Sequence, residues 1–592
     1  MAGFSTRPEL RGTFGMAAST HWIASAVGMG VLERGGNAFD AAVAMGFTLQ
    51  VVEPHLNGPG GEVPIIVKPA GGEPAVLCGQ GPAPAAAVPE AFAGMDRIPG
   101  SGVLPATVPG AFDAWLLLAR DHGTLPLREL LEPAIGYARS GYPVLPQIAA
   151  KIAEVQEVFT GLWPSSAALW LPGGRVPEAG TMHRNPVLAD TYRRLVEEAE
   201  AAGGGREAVI DAARRAWREG FVAEAIAEFC SRPVPSGSGE PHRALLTADD
   251  LAGWSAGYEE TVRIEYAGMT VHKTGPWGQG PVFLQQLRLA EALGTGSADV
   301  LSADFVHLVT EAAKLAFADR DAHYADPLFA DVPLEALLSP GYAAERAALV
   351  GAEASMELRP GSPAGRAPFI PELTVAGTAP GTDRTNGEPT VDRAGTQRGD
   401  TCHLDVVDSA GNMVAATPSG GWLASSPVIP ALGFPLGTRG QMFWLDPRSP
   451  GVIAPGKRPR TTLTPTLVTR DGEGVTALGT PGGDQQDQWS LTFFLRLVHG
   501  GMDIQEAIDA PMFHTNALAG SFFPREIAPG ELVVEERIGA PALAELRRRG
   551  HRVVVSDPWS LGRLSAVARD PETGVLRAGA NPRGMQGYAV GR

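Results

Sequence analysis

The feature that most restricts how this chain can fold is a break in its periodicity. From residue 351 to 400 the sequence runs through Gly, Pro, Thr and Ala with no sustained repeat, including AGTAPGTDRTNGEPTVDRAGTQRGD. It then stops abruptly at CHLDVVDS, a Gly-Asn turn and MVAAT. The alternation on either side of Ala410-Gly411-Asn412 predicts a β-hairpin. A structureless stretch of this length is a linker or a functional loop. Helical and strand-like patterns occur on both sides of it, so it does not divide an all-α half from an all-β half. The pattern predicts one layered α/β unit, in which residues after the break add strands to sheets begun before it.

Before the break, residues 22–34 and 38–52 are rich in Ala, Val and Met and are separated by Gly35-Gly36-Asn37, a helix stop and turn. Their many small residues predict close helix contacts against a buried layer. Residues 57–61, NGPGG, lead into the apolar run from Val63 to Val67, a glycine loop entering a strand. Neither G-x-x-x-x-G-K-[ST] nor a strand-bounded G-x-G-x-x-G occurs there, so no nucleotide loop is indicated. Residues 56–100 carry several strand-like runs. A helical pair over 108–140 places Pro109 and Pro126 near helix starts, where a missing N–H matters least. Further helices are expected over 187–202, 208–219 and 222–229. A longer amphipathic helix over 304–327 has Phe305, Leu308, Val309, Ala312, Leu315 and Ala316 near a 3.6-residue period. His307 and His323 in that stretch read as packing or surface residues. After the hairpin, strands are expected at 461–469, 475–479, 531–535, 552–556 and 563–568, and helices at 488–498, 503–510 and 540–548.

The chain has 592 residues, 44% hydrophobic and 19% charged, a soluble globular profile. Its formal charge of −17 argues against nucleic acid or anionic lipid as partner. The richest basic run, Lys457, Arg458 and Arg460 around Pro459, could hold an anion but reads first as a solvated loop. Cys78, Cys230 and Cys402 form no C-x-x-C pair and no cluster with metal-ligand spacing. With no secretory-type apolar segment and no span of about 18 apolar residues, a cytoplasmic location is expected, with no membrane partner.

Thr401 stands where the acidic end of the irregular segment, Arg398-Gly399-Asp400, meets the first hairpin strand. A hydroxyl there can attack the carbonyl of residue 400. An N-to-O acyl shift and hydrolysis of the resulting ester would free Thr401 as a new N-terminus. Its α-amine, with a pKa of about 7.7–8.0, can serve as base for its own hydroxyl. By spacing alone, Gly-Asp-Thr is also an ordinary loop-to-strand junction, and Cys402 is a rival nucleophile. Adjacent strand residues face opposite sides, so only one of the two can enter a given site.

The stretch DTCHLDVVDSAGNMVAAT resembles the start of the small subunit in the gamma-glutamyltransferase family of N-terminal-nucleophile hydrolases. STHWIASAVGMGVLERGGNAFDAAVA, VVEPHLNGPGG, TVPGAFDAWLLLARDHGTLPLRELLEPAIGYARSGYPV, EAAKLAFADRDAHYADP, KRPRTTLTPT and GTPGGDQQDQW resemble further family motifs, in the family order, across almost the whole chain. The resemblance implies a four-layer αββα sandwich formed jointly by both processed segments. Cleavage between Asp400 and Thr401 would give residues 1–400, ending in a flexible pre-cleavage segment (351–400), and residues 401–592. It implies Thr401 as nucleophile, with Ser419 where a family threonine supports it; Thr417, one strand period earlier, and Gln441 are expected on the substrate side. The paired substrate-side hydroxyls fall on Thr461 and Thr462, and the oxyanion glycines on Gly482 and Gly483, whose missing Cβ atoms let backbone N–H groups converge.

The pattern departs where a gamma-glutamyl head would be gripped. The family arginine falls on or near Gln80, and the family aspartate on Trp444, after Gln441 in RGQMFWLDP, with Asp446 two residues on. Glutamine lacks the bidentate cationic fork, and tryptophan offers an ammonium only a ring face. Gln80, Lys457 and Arg458 are the candidates for an acidic substrate group. Phe443, Trp444 and Trp422 suggest an aromatic acyl pocket. The expectation is a self-processing amide hydrolase acting through a threonyl ester on a small-molecule amide, without metal or organic cofactor. A gamma-glutamyltransferase or glutathione hydrolase, and an unprocessed binding homologue, are the alternatives. Expected partners are the two processed segments of the chain itself, and a second copy of the processed unit is a candidate.

Overall fold

The computed structural model of the protein describes residues 5–376 and 401–592; Asp400, expected to flank the cleaved bond, lies outside them, as does the irregular segment from residue 377 on. In chain order the strands of the two large sheets that precede the break are β1 (Leu10–Gly12), β2 (Gly15–Ser19), β3 (Val63–Lys68), β4 (Ala75–Gly79), β5 (Gly257–Glu260), β6 (Val262–Tyr266) and β7 (Met269–Lys273). Those after it are β8 (Leu404–Asp408), β9 (Met413–Ala416), β10 (Thr466–Arg470), β11 (Glu473–Gly479), β12 (Ser565–Arg569), β13 (Leu576–Ala580) and β14 (Tyr588–Gly591). They form two seven-stranded sheets, ordered β14-β2-β8-β9-β3-β4-β5 and β1-β13-β12-β11-β10-β7-β6. Every neighbouring pair in both is antiparallel. The hairpin β8–β9 inserts between β2 and β3, with Leu404 opposite Ser19 and Val414 opposite Val67. Each sheet therefore draws on both sides of the break, as the sequence pattern predicts.

Helices α1 (Trp22–Glu33), α2 (Ala38–Val52), α3 (Ala111–His122) and α4 (Leu127–Ser140) cover the outer face of the first sheet. Asn37 and Asp40 form a reciprocal capping box that starts α2. Every residue of α2 is buried, which explains why it carries apolar and small residues on all sides. Helices α5 (Gly280–Ala292), α6 (Ala303–His323) and α7 (Gln486–Val498) lie on the side of the second sheet. Strand alternation sorts the layers. Leu404 and Val406 of β8 point into the helical core, whereas Val407 joins Met16, Ala18, Ala415, Ala477, Val567 and Ala578 between the sheets. The order is helix, sheet, sheet, helix.

Three sequence expectations need correction. Residues 56–100 hold only β3, β4 and a short 3-10 turn at Pro89–Phe92, because the rest of the run is loop. The strand expected from 461 begins at Thr466; Thr461 instead makes an isolated bridge to Gly278. The helix expected to 327 ends at His323, since Tyr324 turns to extended backbone ahead of Pro327. The strands β1, β2, β5, β6, β7, β13 and β14 were not expected. The β2 sequence GMAAS has no alternation to read, and pairing with distant β8 is what makes it a strand.

Candidate active site

Thr401 lies at the mouth of β8, in an isolated antiparallel bridge with Ser419. Its Oγ1 donates to Ser419 Oγ at 3.2 Å. Arg439 Nη2 donates to the same Ser419 oxygen at 2.9 Å, and Arg439 Nε to Glu62 Oε1 at 2.5 Å. The backbones of Glu62 and Ser419 exchange hydrogen bonds of 2.9 and 3.0 Å, which locks the carboxylate beside the serine. All four residues are buried. Burial pushes the Glu62 carboxyl upward and the Arg439 guanidinium pulls it back down. Gly420, at φ 74, must be glycine, because a Cβ there would overlap the Glu62 carboxylate. Sequence reasoning missed Arg439 and Glu62. Their partnership spans 377 positions, and the only local signal is a charged residue in an apolar motif.

Cys402 faces the other way. Its thiol donates to Glu53 Oε2 at 2.9 Å and receives Asn57 Nδ2 at 3.1 Å, inside the helix-side core. Burial and the adjacent Glu53 carboxylate push that thiol well above its ordinary range, so it is a poor nucleophile on the wrong side of the strand. His403, on the Thr401 side, joins Thr417 Oγ1 at 2.9 Å and Asp405 Oδ1 at 2.8 Å, and Ser565 Oγ donates to Asp405 Oδ2 at 2.9 Å. This buried relay ties β8 to β12 across the sandwich. It also engages Thr417, which was expected near substrate. A Cβ on Gly479 would overlap the His403 ring, so the end of β11 reaches the β8 mouth.

Residues 480–483 continue from that end. Gly482 and Gly483 have φ values of 131 and 49, and a Cβ on Gly482 would strike the Trp489 ring. The turn leads into a 3-10 segment and then α7. Asp484, just beyond, is held by Arg320 and accepts from Ser521 N at 2.9 Å and from Ser521 Oγ at 2.5 Å. Thr461 N donates to Trp277 O at 2.9 Å, and Thr462 Oγ1 is buried with no partner among the described residues.

Gln80 follows β4 and donates from Nε2 to Gly81 O at 3.2 Å, leaving its Oε1 buried and without a partner among the described residues. The Gln441 amide is taken up by Gly100 O at 3.2 Å, Thr438 Oγ1 at 3.1 Å and Phe523 N at 3.1 Å. Trp444 stacks under the Arg525 guanidinium at 3.9 Å and meets Phe369 edge-on at 5.5 Å. Asp446 instead pairs with exposed Arg448 at 2.6 Å. The basic run is not a solvated loop. Lys457, Arg458 and Arg460 are only 3%, 9% and 5% exposed. Lys457 Nζ donates to Pro450 O at 2.6 Å and Val452 O at 3.0 Å, while Arg458 pairs with Asp326 and Glu259. Both are committed within the protein, and the spare Gln80 atom is a carbonyl oxygen, an acceptor that offers no donor to an acidic group.

Among the described residues, His307, Glu311 and His551 bring potential metal-ligand atoms within 4.8 Å of one another. The two rings bond each other at 2.9 Å, and Glu311 is paired with both Lys314 and Arg359, cations that oppose a metal there. No helix among the described residues is long and apolar enough to cross a membrane.

The family profile described as Gamma-glutamyltranspeptidase matches residues 24–591. The oxamate amidohydrolase proenzyme of Klebsiella pneumoniae subsp. pneumoniae is 31% identical, with 98% of each chain covered. A solved structure of LmbA2991HD is 56% identical over 100% of both chains, with a TM-score of 0.93. The cephalosporin acylase from Bacillus halodurans is 30% identical over 100% of this chain and 98% of its own, with a TM-score of 0.82.

Proposed function

We propose that this chain, which belongs to the gamma-glutamyltranspeptidase family and is a self-processing amide hydrolase with the four-layer sandwich of N-terminal-nucleophile enzymes, uses Thr401 first to cut itself and then to cut its substrate. In processing, Thr401 Oγ adds to the Asp400 carbonyl and the peptide C–N bond breaks, leaving an ester. The Oγ proton passes to the departing nitrogen, which becomes the Thr401 amine, and water then hydrolyses the ester to the Asp400 C-terminal carboxylate and the restored hydroxyl, giving residues 1–400 and 401–592. In turnover, that amine accepts the Oγ proton as the oxygen attacks the substrate amide, and passes it to the departing nitrogen. The Gly482 and Gly483 N–H groups receive the oxyanion. Water resolves the acyl ester and restores the hydroxyl. The observation that carries the reading is the Thr401–Ser419–Arg439–Glu62 chain: a buried cation polarises the serine that orients the nucleophile.

The acyl group is not gamma-glutamyl in this reading. Gln80 and Trp444 stand where an amino-acid head would need an arginine and an aspartate, the Gln441 amide is taken up by Gly100, Thr438 and Phe523, and Asp446 pairs with Arg448. Relatives named for oxamate and for cephalosporin support a non-glutamyl amide. The three unpaired buried cysteines suit a cytoplasmic location. The test is intact mass before and after incubation with acyl anilides. Two processed fragments and an acyl adduct on the fragment beginning at Thr401 are expected, and Thr401→Ala should stay full length. A full-length wild-type chain, or one whose Thr401→Ala variant still processes, sinks the proposal; release of glutamate from a gamma-glutamyl anilide in preference to other acyl groups restores the transferase alternative.

A further inference from the structure

Strand alternation turns His403 and Asp405 to the same side as Val407, into the layer between the two sheets. That layer is largely apolar, with Ala18, Ala415, Ala477 and Val567 among its residues. His403, Asp405, Thr417 and Ser565 are all buried, and they satisfy one another. The imidazole joins Thr417 Oγ1 at 2.9 Å and Asp405 Oδ1 at 2.8 Å, while Ser565 Oγ donates to Asp405 Oδ2 at 2.9 Å. A buried polar pair in such a layer is costly to desolvate, and its best-attested use is to fix the register of the elements it joins.

Here the elements joined are the nucleophile's strand and the Gly482–Gly483 turn. The His403 ring lies against Gly479, where a Cβ would overlap it, and Gly479 stands opposite Ser565 in the second sheet. Residues 480–483 follow directly. Polar holds on that turn come from the second sheet's side. Arg563 N donates to Thr480 Oγ1 at 3.1 Å, Gln279 Nε2 donates to Gly483 O at 3.3 Å, and Arg320 pairs with Asp484. Thr401 is held from the first sheet's side, by Ser419 and through it by Arg439 and Glu62. Nucleophile and turn thus belong to different sheets, and the His403–Asp405 pair spans the gap beside both.

We infer that His403 and Asp405 are positioning residues that fix Thr401 against the Gly482–Gly483 turn, and that they serve substrate turnover and not self-cleavage. Turnover needs the hydroxyl of one sheet and the N–H groups of the other in a single alignment, where a misplacement of about 1 Å can cost roughly a hundredfold. Self-cleavage draws on Thr401, Ser419 and Arg439, which move with the first sheet. The inference rests on the amide-hydrolase reading of Thr401 and divides its two reactions between the sheets.

Three variants test it. Asp405→Leu leaves His403 and Ser565 without their acceptor, and Ser565→Ala removes one donor. Asp405→Asn keeps both contacts, its oxygen toward His403 and its NH2 toward Ser565. Each is measured twice: for the half-time of conversion of freshly folded full-length chain into fragments, and for single-turnover acylation of the processed enzyme over a range of acyl anilide concentrations. Asp405→Leu should acylate about a hundredfold more slowly and Ser565→Ala about tenfold more slowly. Both should keep the wild-type half-saturating concentration and the wild-type processing half-time, and Asp405→Asn should keep most of the acylation rate. Acylation by Asp405→Leu at the wild-type rate overturns the inference. Processing slowed in step with acylation also overturns it, because that marks a general structural loss. Asp405→Asn as slow as Asp405→Leu overturns it too, since charge and not hydrogen-bonded shape would then govern the rate. Should Asp405→Leu not fold, Ser565→Ala decides by the same two measurements. A wild type that processes and cleaves anilides, with variants that fail to separate the two rates, overturns this inference alone. A wild type that does neither overturns the amide-hydrolase reading.

Discussion

Replacing Ser419 by alanine removes one oxygen that two groups share. Arg439 Nη2 loses a 2.9 Å charge-assisted hydrogen bond, and Thr401 Oγ1 loses its acceptor at 3.2 Å. The first type of bond contributes about 1.5–3 kcal/mol and the second about 0.5–1.5 kcal/mol. Arg439 keeps Glu62, so no buried charge is orphaned, and the stability loss should stay near the size of the charged bond. Arg439→Leu, by contrast, strands Glu62 and should cost about 3–5 kcal/mol. If the oriented hydroxyl is needed in the self-cleavage transition state, losing about 1.5–3 kcal/mol there slows processing roughly 10- to 150-fold. The assay is the half-time of conversion of the full-length chain into fragments on a denaturing gel, started from freshly folded protein. Ser419→Thr returns a hydroxyl to the same position and should recover most of the rate. A Ser419→Ala protein that processes with the wild-type half-time would refute the reasoning.

Gly482→Ala should lower single-turnover acylation by about a hundredfold, because its Cβ overlaps Trp489 and displaces the turn meant to receive the oxyanion; an unchanged acylation rate removes that turn from the mechanism. His514 is buried against Trp489, and burial lowers it from its ordinary 6.5 to about 3. Between those values the unfolded chain takes up a proton that the fold refuses, so stability falls as pH drops from 6.5 toward 3. His514→Phe should therefore flatten the acid side of a denaturation-versus-pH profile, and an unaltered slope contradicts the assignment. Cys402→Ala should process before residue 401 and keep its activity, and wild-type activity should survive thiol alkylation; loss of processing in the variant would return Cys402 to contention.

Helices α1 and α2 could be read directly, since their small apolar residues and the Gly35-Gly36-Asn37 stop between them act within a few positions. The β8–β9 hairpin was equally local. The terminal strands were not legible, because GMAAS becomes a strand only when β8 and β14 flank it. Thr401, Gly482 and Gly483 were singled out through the resemblance of the motifs that hold them, since by spacing alone Gly-Asp-Thr reads equally as a loop-to-strand junction and Pro-Gly-Gly as a turn. The basic run was misread for the opposite reason: Asp326, Glu259 and the carbonyls that bury it come from remote segments or a folded-back turn.

Alone, then, the order of residues determined that a hydroxyl follows a long irregular segment, that a Gly-Gly turn stands at residues 482–483, and that strands and helices occur on both sides of the break. Tertiary structure decided which face of β8 each side chain occupies, that Arg439 and Glu62 stand behind Ser419, and that His403 and Asp405 meet Gly479 and Ser565 of the other sheet. Backbone preference and pattern act over a few residues, whereas the pairing or isolation of a buried charge depends on everything the fold packs around it.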